Sequence, residues 1–286
     1  FYGYFILKFI HFVCDDWGKG KDVYIWIIIL VIFFLNPHMN INGVRFWTAT
    51  WVFFSTFLAY CLYHKNKWIL GFIVTPLIHI SFLLPLCFMI VSFVLYKHFK
   101  FKTLYYLAII SFVIGFIIPV DKIIEMLPVS FGVFEHFEAY TEEGYVSEVA
   151  ALKQERSTLN VFFSKLPFVY VFVLLIHIKN KPIIYEYNAF FVTFILLFLS
   201  FLFVVDKIPS MGRFYYLAYM FLIYLTFRIY KCNRSKFIQR LILLAPILFF
   251  GKIYQIYVIH DLVLSNIYLY RPTWDIINFA LSYKIQ

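Results

Sequence analysis

Long apolar runs alternate with short polar loops from one end of the chain to the other. The runs fall at 23–35, 46–63, 68–96, 105–120, 161–178, 189–205, 214–230 and 241–259, and residues 1–13 read as the end of one more. Runs of this length, free of alternating polar positions, predict helices that cross a bilayer, where a crossing takes about 20 residues. No internal repeat and no Gly/Ser tether divides them, so residues 1–286 are expected to form a single transmembrane domain. Phe1 stands where a Met would, inside an apolar stretch, and the expectation is a fragment lacking N-terminal helices.

The loops carry the orientation. Bases cluster in four short loops, 64–67, 97–102, 179–181 and 231–240. Such clusters stay on the cytoplasmic side. Loops 36–45, 121–156 and 206–213 then lie outside. The run at 68–96 tests this scheme, because it has a basic loop at each end and must enter and leave on the same side. Its 29 residues are many for one upright span and few for two, and Pro76 and Pro85 interrupt any continuous helix. A tight helical hairpin bending near residues 75–81 is expected; one long tilted helix is the rival.

Composition agrees with this class. The chain is 63% hydrophobic and 14% charged, with a mean hydropathy of +0.84. A soluble domain of this length cannot hide so much apolar surface. The net charge of +10 resides in loops beside spans, so it orients helices and does not point to nucleic acid. Cys14, Cys61, Cys87 and Cys232 are far apart and form neither a disulfide framework nor a metal motif. The expected fold is all-α, a polytopic helical bundle with one extracytoplasmic loop at 121–157. That loop holds eight of the fifteen acids and is rich in Phe and Tyr. Carboxylates beside flat rings suit a sugar surface, and an ordinary helical cap has the same make-up.

Three polar groupings fall on the predicted outer face. Arg45 opens a span after Asn42 and Gly43; His79 and Ser81 stand at the hairpin bend; Arg213 opens another span after Ser210 and Gly212. Arginine presents a planar fork of donors that matches phosphate oxygens and keeps its charge at any relevant pH. A helix N-terminus adds free N–H groups and a positive dipole end. Together they suggest an anion site. Singly each residue has a plainer account, since an arginine at a helix end snorkels to lipid phosphate and a histidine packs against its neighbours. Lys252, following Gly251, is placed near the outer interface as a further phosphate contact or a second snorkelling base. No P-loop, dinucleotide fingerprint, nucleophile elbow or zinc-ligand spacing is present.

The stretches Asn42-Gly43-Val44-Arg45-Phe46-Trp47-Thr48-Ala49, Leu77-Ile78-His79-Ile80-Ser81 and Ile208-Pro209-Ser210-Met211-Gly212-Arg213-Phe214 resemble, in order and in place, the EpsG family of Wzy-like membrane polysaccharide polymerases. The likeness runs across residues 20–230. It implies a GT-C-like glycosyltransferase of the bacterial inner membrane, multi-pass, with no cofactor and no metal. Its substrate would be undecaprenyl-diphosphate-linked oligosaccharide, joined at the outer face into capsule, exopolysaccharide or O-antigen. A flippase and a chain-length regulator are the implied protein partners, with membrane lipid around the bundle. Arg45 and Arg213 would hold the leaving diphosphate, and His79 would donate to it or act as a base. Three other classes compete: a flippase or transporter of the same units, a membrane O-acyltransferase, and a non-catalytic scaffold. A transporter shows bases midway along spans and often repeated halves, and neither is present here.

Overall fold

The computed structural model describes residues 2–18, 22–36, 44–117, 158–179, 189–205 and 209–263. The expected outer loop 121–157 lies outside them. Ten α-helices and no strand occur among the described residues. They are α1 (Tyr2–Trp17), α2 (Val23–Leu35), α3 (Val44–Tyr63), α4 (Lys67–Ile78), α5 (Leu83–Leu95), α6 (Phe101–Ile117), α7 (Thr158–Lys179), α8 (Ala189–Val204), α9 (Phe214–Cys232) and α10 (Lys236–Val263). Two 3-10 turns, Ile80–Phe82 and Pro209–Arg213, lead into α5 and α9.

The run Val-Tyr-Ile-Trp-Ile-Ile-Ile-Leu-Val-Ile-Phe-Phe-Leu is β-branched enough to favour a strand in water, yet it forms α2. A helix satisfies its N–H and C=O groups within the segment itself, which suits a run with apolar side chains on every face. Hydroxyls inside the helices follow the same logic: those of Thr50, Thr56, Ser92 and Ser200 each bond a carbonyl four residues back. Close approach replaces hydrophobic drive between such helices. A Cβ on Gly71 would collide with the Thr56 side chain, and one on Gly115 with the Phe203 carbonyl. These glycines let α4 lie against α3 and α6 against α8.

Residues 67–95 do form the hairpin. Pro76 leaves the Phe72 carbonyl without its usual N–H donor, and the Thr75 hydroxyl takes that place at 2.6 Å. Helix α4 ends two residues later, where His79 turns extended at φ −150° and ψ 116°. Pro85 falls in the first turn of α5, where it costs no hydrogen bond. Ring contacts then fix the direction of each leg. Phe72 packs on Tyr60 and Phe53 of α3 going up. Coming back, Phe88 meets Phe198, and Phe93 and Tyr96 meet Phe190 at the start of α8. Tyr60, near the end of α3, touches the same Phe190. Both legs therefore open at one end of the bundle, and the single tilted helix is excluded.

That end also gathers the basic loops. Lys179 lies over Tyr105, His177 stacks on Phe237, and Lys231 is paired beside Trp17. The opposite end holds the starts of α3 and α9 and the hairpin apex. Between the two ends α8 and α9 form the core: Phe191, Phe194, Phe198, Phe221 and Tyr224 are buried and interlock with Phe53, Phe54 and Phe57 of α3. The hairpin's outer side is clad in exposed apolar residues, with Leu77 at 85% and Ile80 at 69%. Among the described residues one helix, Arg45–Tyr63, is both long and apolar enough to cross a membrane by itself. Shorter apolar helical segments occur at Val23–Leu35, Lys67–Ile78, Ile80–Leu95, Phe101–Gly115 and Ala189–Val204, the second and third because the hairpin divides their run in two.

Candidate functional site

The site at the end opposite the basic loops is assembled by phenylalanines. Phe46 follows Arg45 and Phe214 follows Arg213, and their rings meet at 5.3 Å and 71°. Phe82 of the hairpin apex closes the set, 5.3 Å from Phe46 and 5.9 Å from Phe214. All three rings are at least 97% buried. Packing three apolar rings therefore carries two arginines distant in sequence to the same rim. Both arginine side chains are exposed, and among the described residues neither makes an ion pair.

Each arginine is held by its own helix start. Arg45 is the second residue of α3. Asn36, fully buried at the end of α2, fastens that start: its Nδ2 donates to the Trp47 carbonyl at 3.1 Å, and its carbonyl accepts from Trp51 Nε1 at 3.0 Å. Arg213 ends the 3-10 turn Pro209–Arg213 and is the N-cap residue of α9, with no side-chain cap bond of its own. Among the described residues, a Cβ on Gly212 would meet nothing within 4 Å, which leaves room beside Arg213.

His79 sits between them at the apex, outside the helical legs. Its ring stands edge-on to Phe46 at 5.4 Å and 88°. Ser81 bonds back to it: the Oγ lies 2.7 Å from Nδ1, and the Ser81 N–H donates to the same nitrogen at 3.4 Å. The imidazole is thus the cap of the 3-10 turn Ile80–Phe82. Burial first, then the charges of Arg213 and Arg45, hold its pKa below the usual 6.5. That two arginines act on one imidazole is the electrostatic sign that all three share a site.

Five further residues were singled out by sequence. Ser81 belongs to the site through His79. Ser210 lies in the same 3-10 turn as Arg213, with its side chain outside the description. Asn42 and Gly43 lie outside the described residues. Lys252 is half-buried on α10, next to Gly251 and Phe250, which pack on Phe163 of α7. It is not part of the Phe46–Phe82–Phe214 cluster. Sequence reasoning missed Asn36; its signal was an amide next to an apolar run, which looks the same as any loop residue.

A hydrogen-bond donor set of two unpaired guanidinium groups and one neutral imidazole suits an anion of two or more oxygens, such as a phosphate or diphosphate. Among the described residues no group of His, Cys, Asp and Glu is arranged to hold a metal ion. The opposite end of the bundle spends its charges differently. Asp16 Oδ2 pairs with Arg228 Nη1 and Asp16 Oδ1 with Lys231 Nζ, each at 2.6 Å, and Arg234 covers the Trp17 ring at 4.8 Å. One carboxylate, Asp16, thus partners two cations and ties α1 to α9. The model of the EpsG family matches residues 2–271, beyond the span carried by the three motifs. No curated protein and no solved structure matches the chain.

Proposed function

The chain belongs to the EpsG family, and on that premise we propose that it is a polytopic glycosyltransferase of the bacterial inner membrane that joins undecaprenyl-diphosphate-linked oligosaccharide repeat units at the outer face. Its family is associated with polysaccharide biosynthesis, and the products of such an enzyme are capsule, exopolysaccharide or O-antigen. A hydroxyl oxygen of the incoming unit attacks the anomeric carbon of the growing chain. The bond from that carbon to the phosphate oxygen breaks, and undecaprenyl diphosphate leaves with the electron pair. The hydroxyl proton departs to a base or to water.

The observation that carries this reading is the pair of unpaired arginines brought to one rim around His79. Charge grows on the leaving diphosphate, and preorganised cations aimed at it lower the barrier. The exposed apolar cladding of the hairpin suits the isoprenoid and the acyl chains around it. Orientation follows from the bases: the paired and clustered ones lie at the other end, which suits the cytoplasm.

Complementation of a polymerase deletion tests the proposal. Variants Arg45→Ala, Arg213→Ala and Arg→Lys at each position are scored for product length on a gel and for membrane abundance by immunoblot. Loss of long polymer at normal abundance, with single units left on the lipid carrier, is the expected result. Lys is expected to restore little, because it lacks the bidentate fork. Full-length polymer from both Ala variants would reduce these arginines to lipid anchors and remove the proposed site.

A further inference from the structure

His79 has two nitrogens, and the structure gives them different work. Nδ1 lies 3.4 Å from the Ser81 N–H, which can only donate, and 2.7 Å from the Ser81 hydroxyl. A nitrogen that caps a turn by accepting from backbone must keep its lone pair free. In a neutral imidazole the proton then resides on Nε2. Nε2 has no hydrogen-bond partner among the described residues. Phe46 at 5.4 Å and Phe82 at 6.5 Å, both edge-on, pack against the ring in this orientation.

We infer that Ser81 is a positioning residue that locks His79 as the Nε2–H tautomer, so that the imidazole serves the leaving diphosphate as a neutral hydrogen-bond donor and not as the base. The inference rests on the glycosyltransferase reading for its ligand, and on the apex geometry for the tautomer. A base role would require the ring to end as imidazolium between Arg45 and Arg213. A bound diphosphate would offset those charges, but protonating Nδ1 would still lose the bond from the Ser81 N–H, which caps the turn, and would reverse the Oγ contact into an Nδ1–H donation. Donation from Nε2 breaks nothing and leaves the charge unchanged. The proton of the attacking hydroxyl therefore leaves by a route other than His79.

Two amide variants separate the nitrogens. The Asn side chain reaches the place of Nδ1 and can cap the turn, whereas the Gln amide nitrogen reaches the place of Nε2. His79→Gln is expected to keep polymerisation within about tenfold of wild type, and His79→Asn to lose about 10²- to 10³-fold, the cost of one donor at a developing charge. Ser81→Ala is expected to fall roughly two- to tenfold, with Ser81→Thr restoring most of it. Membranes loaded with lipid-linked repeat units from a polymerase-deficient strain supply the substrate, and immunoblots report abundance.

A spectroscopic readout stands apart from activity. In full-length protein labelled with 15N-histidine, the His79 signals, assigned by their loss in His79→Asn, should show a pyridine-type Nδ1 and a pyrrole-type Nε2 at neutral pH. Ser81→Ala should mix the tautomers. A protonated Nδ1 in the wild type overturns the tautomer assignment. Activity surviving in Asn but lost in Gln, or lost in both at normal abundance, overturns the donor role. If wild-type membranes elongate nothing, the glycosyltransferase reading falls while the nitrogen pattern is still read on its own terms.

Discussion

Replacing Phe46 with Ala should damage the site more than any change outside it that spares the charges. The ring is 3% exposed and makes contacts of 5.4 Å with His79 and 5.3 Å with both Phe82 and Phe214. In a soluble core the deletion of a buried Phe costs about 3–5 kcal/mol. In a bilayer the separated helix still keeps its ring in hydrocarbon, so the transfer part largely drops out and packing remains. Aromatic contacts contribute about 0.5–1.5 kcal/mol each, which for three puts the loss near 2–4 kcal/mol.

The functional loss should exceed what that destabilisation explains. Arg45 is covalently next to Phe46, so a shift of the ring is a shift of the guanidinium. A misplacement of roughly 1 Å at a reacting centre can cost on the order of 10²-fold. Phe46→Leu fills much of the space but restores no ring edge for His79, and should lie between, at about 1 kcal/mol of stability. Thermal unfolding in nanodiscs reads the first quantity, and product length normalised to membrane abundance reads the second. Phe46→Ala with a wild-type Tm and wild-type polymer would show that the ring cluster neither holds the apex nor positions Arg45.

Other perturbations reach different parts of the argument. Gly212→Ala, for which the described residues leave room, should fold like wild type yet lower activity about tenfold if ligand approaches that backbone, an effect of the order of 1.4 kcal/mol; equal KM and kcat would place the ligand elsewhere. Asn36→Ala removes the Nδ2 donor that fastens the Trp47 carbonyl and should cost about 0.5–1.5 kcal/mol by thermal unfolding. Asp16→Ala leaves Arg228 and Lys231 without a shared anion; because Lys231 is one-third exposed, the loss should be near 2 kcal/mol, below the 3–5 of a fully buried pair, with polymer made by the surviving protein unchanged in length. Acid should also act through His79. Its folded pKa is depressed below 6.5, so the unfolded chain takes up the proton first, and stability present above 6.5 is lost as pH falls toward the folded value. His79→Gln should flatten that slope in a pH series of unfolding midpoints.

Much of this arrangement was legible from local chemistry. A run with bases at both ends must come back to its own side, and two prolines allow it to turn; residues 67–95 do so at His79. Arginines preceding apolar runs had to cap helices at the end away from the basic loops. What sequence could not show was the joint. Nothing marks Phe46, Phe82 and Phe214 among 38 phenylalanines as the three that meet, because ring packing is set by helix crossing and leaves no local signature. The pair Asp16–Arg228 spans 212 positions and was invisible for the same reason. For Lys252 the rise per residue gives a height along α10 but no azimuth; its neighbours Phe250 and Gly251 face Phe163 of α7.

Helix α9 puts the same residue type to two uses, and the contrast argues for what each does. Near its inner end Arg228 is 18% exposed and shares Asp16 with Lys231. A cation taken that far out of water is stable only with such a partner. At the other end Arg213 stands at the rim with Arg45, both acting on one imidazole, and no described acid answers either. Three buried phenylalanines hold both arginines at that rim. An anion with two or more negative oxygens answers their charge on binding, and one whose charge increases during reaction answers it more strongly. On the proposed function the rim serves a leaving group, whereas at the opposite end Asp16 partners its cations and joins α1 to α9.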